Sequence, residues 1–389
     1  VRSTTVSPSH ASRWVDTDAE FAALLEHLVT EPRYALDTEF HRERTYYPKL
    51  ALLQLAWPDG LVLVDPLAVD VRALEGLFAS DALAVVHASQ QDLDVLTHAA
   101  RCVPRRLFDT QVAAGFVGYG TPSLVALLQG ELGVSPAKGD RLTDWLRRPL
   151  TVDQCDYAAS DVAYLLEVHD RLTVRLSEMG RLEWVTDACN EVLTKSTAPA
   201  DPDDAWTKLK DVRSLRPRAR AVAQAVGAWR ERRAMATDIP VRHVLPDLAI
   251  LGIAQRQPTT ERDLGQARGV DERFSRGQIA GEILQAVRDG LAAEPPEPRP
   301  GVEDLEREMR PAVTLVSAWV SQVARDERID TSLLATRADL VALLRGDDAA
   351  RLASGWRADL LGSDVRRLVA GHAALTFDGR GSLKLVELP

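Results

Sequence analysis

Asp37 and Glu39 lie two residues apart inside the largely apolar run RYALDTEF. In an extended strand, residues i and i+2 project from the same face, so this spacing presents two carboxylates together. An unpaired carboxylate in an apolar setting is costly. Hard divalent cations such as Mg²⁺ or Mn²⁺ bind all-oxygen ligand sets and would offset that cost. The alternative leaves one carboxylate in water at the strand end and pairs the other with a base. A second acid, Asp92, follows a short apolar run in VVHASQQDLDVL. A strand opening into a helix is where α/β folds place ligands, although acids also favour the first helical turn for dipole reasons. Asp94 cannot share the face of Asp92 and is read as such a helix-start acid. Further on, YAASDVAYLLEVHDRL puts Tyr157 and Asp161 four residues apart. They share one helical face, and Leu165 on the same face would turn it toward a sheet.

The elements that must position these residues read as follows. Residues 33–40, 50–57 and 60–66 are strands, and the turn WPDG at 57–60 makes an antiparallel hairpin of the second and third. LAVVHA, 83–88, is a buried parallel strand. Helical periodicity covers 69–79, 90–100, 109–117, 122–132 and 153–178, giving an α/β domain with a mixed sheet. Two proline-bearing polar stretches, 194–205 and 293–301, read as linkers and cut the chain into 1–193, 206–292 and 302–389. The second and third segments read as all-helical. A weak repeat relates them: Trp229 precedes Asp247-Leu248 by 18 residues, and Trp319 precedes Asp339-Leu340 by 20. Two copies of one small helical module account for this, as does chance similarity between two Ala/Leu-rich stretches.

Composition bounds the function. The 389 residues carry a net charge of −10, which taken alone argues against a nucleic-acid partner. The charge is uneven, however. Residues 1–200 hold 18 Lys/Arg against 28 Asp/Glu, whereas 206–290 hold 16 against 10. Within 213–233, Arg213, Arg216, Arg218, Arg220, Arg230, Arg232 and Arg233 face the single acid Glu231, the pattern of a helix able to track phosphates. No window is apolar enough for a transmembrane helix, and the first ten residues lack the apolar core of a secretory signal. The cysteines Cys102, Cys155 and Cys189 are too scattered for a disulfide scaffold or a cysteine-rich zinc module, so a reducing cytoplasm is expected.

The order D-x-E, then HA-x-x-x-D, then Y-x-x-x-D resembles the DEDD superfamily of 3′→5′ exonucleases in its tyrosine-bearing branch. TEFHRERTYYPKLALLQLA, VVHASQQDLDVL, LFDTQVAA and DWLRRPLTVDQCDYAASDVAYLLEVHDRL are similar to the ribonuclease D family across nearly all of 15–190. Residues 206–290 resemble the HRDC (helicase and RNase D C-terminal) module, and 302–389 look like a more divergent copy. The resemblance implies a ribonuclease H-like mixed-sheet exonuclease domain followed by two all-helical HRDC-type domains. It implies that Asp37, Glu39, Asp92 and Asp161 hold two Mg²⁺ or Mn²⁺ ions, and that Tyr157 orients the attacking water. It also implies release of nucleoside 5′-monophosphates from RNA 3′ ends, tRNA precursors with 3′ extensions among them, by a cytoplasmic monomer with no membrane partner. A DNA exonuclease and a non-catalytic binding adaptor are the competing readings. Candidate RNA contacts are Phe40, which either stacks on a terminal base or joins the core, and Arg230, Arg232 and Arg233. Asp109 either supports the site from behind or caps the following helix, and the cap is preferred. His87 is read as a buried histidine satisfied by backbone rather than a metal ligand, and His169 and Asp170 as a solvated face. His41 and Glu43 either approach substrate or belong to a surface loop.

Overall fold

Strand β2 (Arg33–His41) carries Asp37 and Glu39 through the middle of a six-stranded sheet of order β1-β4-β3-β2-β5-β6. The structure is a computed structural model that describes residues 12–135, 143–196, 201–297 and 309–388. β1 (Arg13–Val15) pairs in parallel with β4 (Gly60–Val64). β3 (Lys49–Trp57) and β4 form the antiparallel hairpin expected from WPDG, closing at Trp57 opposite Gly60. Glycine lets the Trp57 indole lie over that turn, because a Cβ on Gly60 would stand 2.3 Å from it and force the ring to move. β2 runs parallel to β5 (Leu83–Val86) with Ala35 opposite Val85, and β5 runs parallel to β6 (Leu107–Asp109). Asp37 and Glu39 therefore lie beyond the carboxyl end of the β2–β5 pairing, where open α/β sheets bind ligands.

The helices α1 (Asp18–Leu28), α2 (Leu74–Ala79), α3 (Gln90–Ala99), α4 (Thr110–Gly115), α5 (Leu124–Leu132), α6 (Val152–Val162), α7 (Leu165–Glu178) and α8 (Leu182–Ser196) belong with this sheet. The apolar stretch expected as one helix over 153–178 is two, broken at Ala163–Tyr164. The break restarts α7 so that Leu165, Val168, Leu172 and Leu176 bury a single face. β1 and β6, three residues each, escape periodicity because only their sheet partners define them.

The chain divides into two compact units. One comprises Ala198–Pro300 together with His41–Lys49. It contains α9 (Pro217–Thr237), α10 (Val241–Val244), α11 (Asp247–Arg256), α12 (Glu261–Leu264) and α13 (Gly277–Ala292). In it α9 and α13 pack so closely that a Cβ on Gly290 would lie 2.8 Å from the Ala221 carbonyl oxygen. The loop 41–49 is held on this unit, where the Tyr46 hydroxyl donates to Glu231 at 2.7 Å.

The described residues of 302–389, expected as a separate domain, group instead with the sheet-bearing unit. They form α14 (Arg310–Glu327), α15 (Thr331–Leu334), α16 (Arg337–Leu344), α17 (Gly355–Arg357) with a π-helical turn over 358–362, and α18 (Ser363–Val369). The segment is not all-helical, because β7 (Ala373–Phe377) and β8 (Leu383–Glu387) end it in an antiparallel hairpin. Trp356 stacks on Trp184 of α8 with ring centroids 5.0 Å apart, and Arg357 pairs with Glu191 at 2.6 Å. The Asp330 amide donates to the Gly115 carbonyl at 2.8 Å. The linkers thus do mark unit boundaries, but the third segment does not stand alone: Trp356 and Trp184, far apart in sequence, belong to one hydrophobic cluster. The weak repeat also recurs in structure. α9 and α14 each end on a left-handed residue, Asp238 and Arg328, and each leads into a four-residue helix. Trp229 donates to Glu282 and Trp319 donates to Asp364.

Candidate active site

Four acids from three elements of the sheet-bearing unit come together. Asp37 and Glu39 project from β2, Asp92 from the first turn of α3, and Asp161 from α6. Asp92 is buried and is held by Thr38, whose hydroxyl donates to its Oδ1 at 2.5 Å. Asp37, Glu39 and Asp161 are half-buried, so the cluster opens to solvent on one side. A capping box of Thr151 and Gln154 starts α6 and fixes the helix that carries Tyr157 and Asp161.

Burial and mutual repulsion push every one of these acids upward. Asp37 rises well above the usual carboxylate range, through burial first and then the charges of Asp92, Asp161 and Glu39. Glu39 is pushed up to about 8 by burial and by Asp161 and Asp92. Asp92 and Asp161 rise to about 7, burial again the main cause, against the opposing hydrogen bonds from Thr38 and Tyr157. Like charges that disfavour one another's ionisation invite a cation. The donors are all hard oxygens, which suits Mg²⁺ or Mn²⁺ rather than a soft metal. Among the described residues no group of three or more His, Cys, Asp or Glu side chains is arranged to hold a metal ion as it stands. The fit to a cation therefore rests on the donor set and its shared field.

Tyr157 donates its hydroxyl to Asp161. Burial and the charges of Asp161, Glu39 and Asp37 hold its phenol above the ordinary value, so it stays protonated. It can orient a water but cannot serve as a base at neutral pH. Trp145 stacks on its ring with centroids 6.1 Å apart. The Trp145 segment is tied down by Arg148, which donates to the Trp145 carbonyl at 2.7 Å, to the Ala51 carbonyl at 2.6 Å and to both oxygens of Asp65. Trp145→Ala should lower kcat about 10- to 100-fold, as loss of orientation does, with KM nearly unchanged. Single-turnover kinetics check this, and Trp145→Phe should retain most of the rate.

A family model described as 3′-5′ exonuclease matches residues 12–177, and one described as HRDC domain matches 219–287. Ribonuclease D of Nitrobacter hamburgensis is 36% identical over 96% of this chain and 99% of its own length. The chain belongs to the ribonuclease D family. Ribonuclease D of Acidiphilium cryptum is 34% identical over 96% of the chain and 97% of its own length. Among solved structures, Escherichia coli RNase D, an exoribonuclease involved in structured RNA processing, superposes with a TM-score of 0.84 at 30% identity. That match covers 93% of this chain and 99% of the other.

The remaining candidates separate in this frame. Phe40 is half-buried and packs against the hydrophobic core. Arg230, expected at an RNA-contacting surface, is buried, and its guanidinium donates to the Leu245 carbonyl and to Asp247. It braces α11 and presents no charge to a phosphate. The helical period places Arg230 beside Arg232 and Arg233 without saying which face is inward. Arg232 is exposed and pairs with Asp203, and Arg233 pairs with Glu282. His87 bonds Thr110 through Nδ1 and is no part of the acid cluster. His169 is not solvated. It packs edge-on against Phe108 at 4.5 Å, while exposed Asp170 pairs with Arg33. Sequence reasoning missed Thr38, Trp145, Arg148 and Asp65. For Thr38, Trp145 and Arg148 the signal was a position inside the motif stretches, whereas Asp65 lies outside them, in the third expected strand.

Proposed function

We propose that this protein is a metal-dependent 3′→5′ exoribonuclease that trims RNA, tRNA precursors with 3′ extensions in particular, one nucleoside 5′-monophosphate at a time. The observation that carries the reading is the set of four acids sharing one field beside a protonated tyrosine. Asp37, Glu39, Asp92 and Asp161 would hold two Mg²⁺ or Mn²⁺ ions. When bound, such ions activate a water and neutralise charge developing on the phosphate and the departing 3′ oxygen. The Tyr157 hydroxyl spends its proton on Asp161 and keeps oxygen lone pairs to accept from the attacking water, which fixes the line of attack. The water oxygen bonds to phosphorus, the P–O3′ bond breaks, and the 3′ oxygen takes up a proton.

The basic middle unit supports an RNA substrate. Arg232 and Arg233 border a groove of about 840 Å³ between α9 and α13, with Trp229 in its wall. An aromatic wall flanked by guanidinium groups suits a single strand, whose phosphates would have to displace Asp203 and Glu282 from Arg232 and Arg233. Replacing Arg232 and Arg233 with glutamine, leaving Arg230 in place, should weaken RNA binding. It should also reduce the slope of log K against log salt by about one per lost phosphate contact. An unchanged slope and affinity would remove this face as the platform. The three cysteines are free, in keeping with a reducing cytoplasm, and we take the enzyme to act as a monomer.

Degradation of 3′-extended tRNA, single-stranded RNA and single-stranded DNA, each with Mg²⁺, Mn²⁺ or EDTA, tests the reading. It predicts stepwise shortening of RNA from the 3′ end, stopped by EDTA. Preferential loss of DNA would favour the DNA exonuclease, and no degradation of any substrate would favour a binding adaptor.

A further inference from the structure

Asp109 has two roles in the fold, and the cap at α4 is the lesser of them. Its carboxylate is buried, 2% exposed, and accepts five hydrogen bonds. Oδ1 accepts from the backbone amides of Gln111 at 2.9 Å and Val112 at 3.3 Å, the cap at the start of α4. The same oxygen accepts from the Ala88 amide at 3.0 Å. Oδ2 accepts from the Ser89 amide and the Ser89 hydroxyl, both at 2.8 Å. Ala88 and Ser89 form the turn between β5 and α3, and Asp92 follows three residues later. That turn is strained, because Ala88 has a left-handed backbone at φ 58°. Nor does the Ser89 side chain cap α3 in the usual way. The next residue tightens the same seam, for Thr110 donates to the Val86 carbonyl at 2.9 Å.

We propose that Asp109 is a positioning residue for the Asp92 carboxylate. It pins the strained turn from the neighbouring strand and so sets where the first turn of α3 places Asp92 relative to Asp37, Glu39 and Asp161. The inference rests on the reading of Asp92 as a cation ligand. Thr38 holds the Asp92 carboxylate at its tip, and Asp109 holds the Ala88–Ser89 backbone that leads into its helix. Support of this kind around a ligand is worth about 10- to 100-fold in metal affinity or activity.

Asparagine separates the two roles of Asp109. As a helix cap, asparagine equals aspartate. Its carbonyl oxygen can keep the bonds from Ala88, Gln111 and Val112. Its amide nitrogen would then face the Ser89 backbone N–H, donor against donor, and the turn loses its anchor. A cap-only role therefore predicts that Asp109→Asn is silent, whereas the positioning role predicts a loss.

The experiment is Mn²⁺ binding to the full chain, read by the electron paramagnetic resonance of free Mn²⁺, with kcat and melting temperature measured alongside. Asp92→Asn should lower Mn²⁺ affinity. If it does not, the ligand reading of Asp92 fails, and the inference with it. If it does, Asp109→Asn should weaken Mn²⁺ binding about 10- to 100-fold and Ser89→Ala should weaken it by a smaller factor. Adding either change to Asp92→Asn should produce no further loss, since both act through Asp92. Unchanged Mn²⁺ affinity in Asp109→Asn, or full additivity with Asp92→Asn, would overturn the proposal. Should Asp109→Asn fail to fold, Ser89→Ala alone carries the same comparison and the same two outcomes.

Discussion

Asp37→Asn should lower nucleotide release by about 10²- to 10³-fold, the scale on which losing a preorganised electrostatic group costs catalysis, while leaving the metal-free protein folded and at least as stable. The substitution changes shape very little. It removes one of four mutually repelling acids, and one whose ionisation is opposed by burial and by Asp92, Asp161 and Glu39. A neutral amide is cheaper to bury than a carboxylate. The melting temperature without metal should therefore stay level or rise. Added Mn²⁺ should raise it less than in the wild type, because the cation has lost a ligand. Activity assays and thermal melts with and without Mn²⁺ check both halves. A variant that keeps full activity, or one whose inactivity comes with unfolding, would not fit.

Stability of the metal-free protein should fall as pH rises from about 4 to about 8, and divalent metal should restore it. The sign follows from linkage. Asp and Glu in an unfolded chain lose their protons near pH 4. In the folded chain Asp92 and Asp161 hold theirs to about 7 and Glu39 to about 8. Between those limits the folded state binds more protons than the unfolded state, so raising the pH favours unfolding. Below pH 4 the penalty is absent. Other groups titrate in the same range, so the useful quantity is the difference between wild type and the double variant Asp37→Asn with Glu39→Gln, whose melting temperature should depend less on pH. Cation binding must displace the retained protons. Mn²⁺ affinity should thus climb between pH 6 and 8, and its calorimetric heat at pH 7 should vary with the ionisation enthalpy of the buffer. A wild-type pH profile parallel to that of the double variant would contradict the account.

What could be read from the sequence was local. Asp37 with Glu39 and Tyr157 with Asp161 were legible because strand and helix periods turn spacing into shared faces. The hairpin at Trp57–Gly60 was legible because turn chemistry is written in the residues themselves. Asp92 needed the motif order, since an acid in a first helical turn is ordinary by itself. Contacts across long sequence separations were not legible. Trp356 against Trp184, Arg148 on Asp65 and Asp109 under Ser89 arise from packing that no window contains. Arg230 shows the same limit from the other side. Nothing in an arginine-rich helix distinguishes the guanidinium that braces a neighbour from the one in water until Asp247 and Leu245 are in place. The stretches 197–200 and 298–301, parts of the expected linkers, and 302–308, the start of the expected third segment, lie outside the described residues.

Mass spectrometry of the mononucleotides released from 3′-extended tRNA in H₂¹⁸O tests the central claim most directly. The account predicts nucleoside 5′-monophosphates carrying one ¹⁸O each, formed by the wild type with Mg²⁺ or Mn²⁺ and absent with EDTA or with Asp37→Asn. Nucleoside 3′-phosphates, or labelled 5′-monophosphates released undiminished by Asp37→Asn or in EDTA, would contradict it.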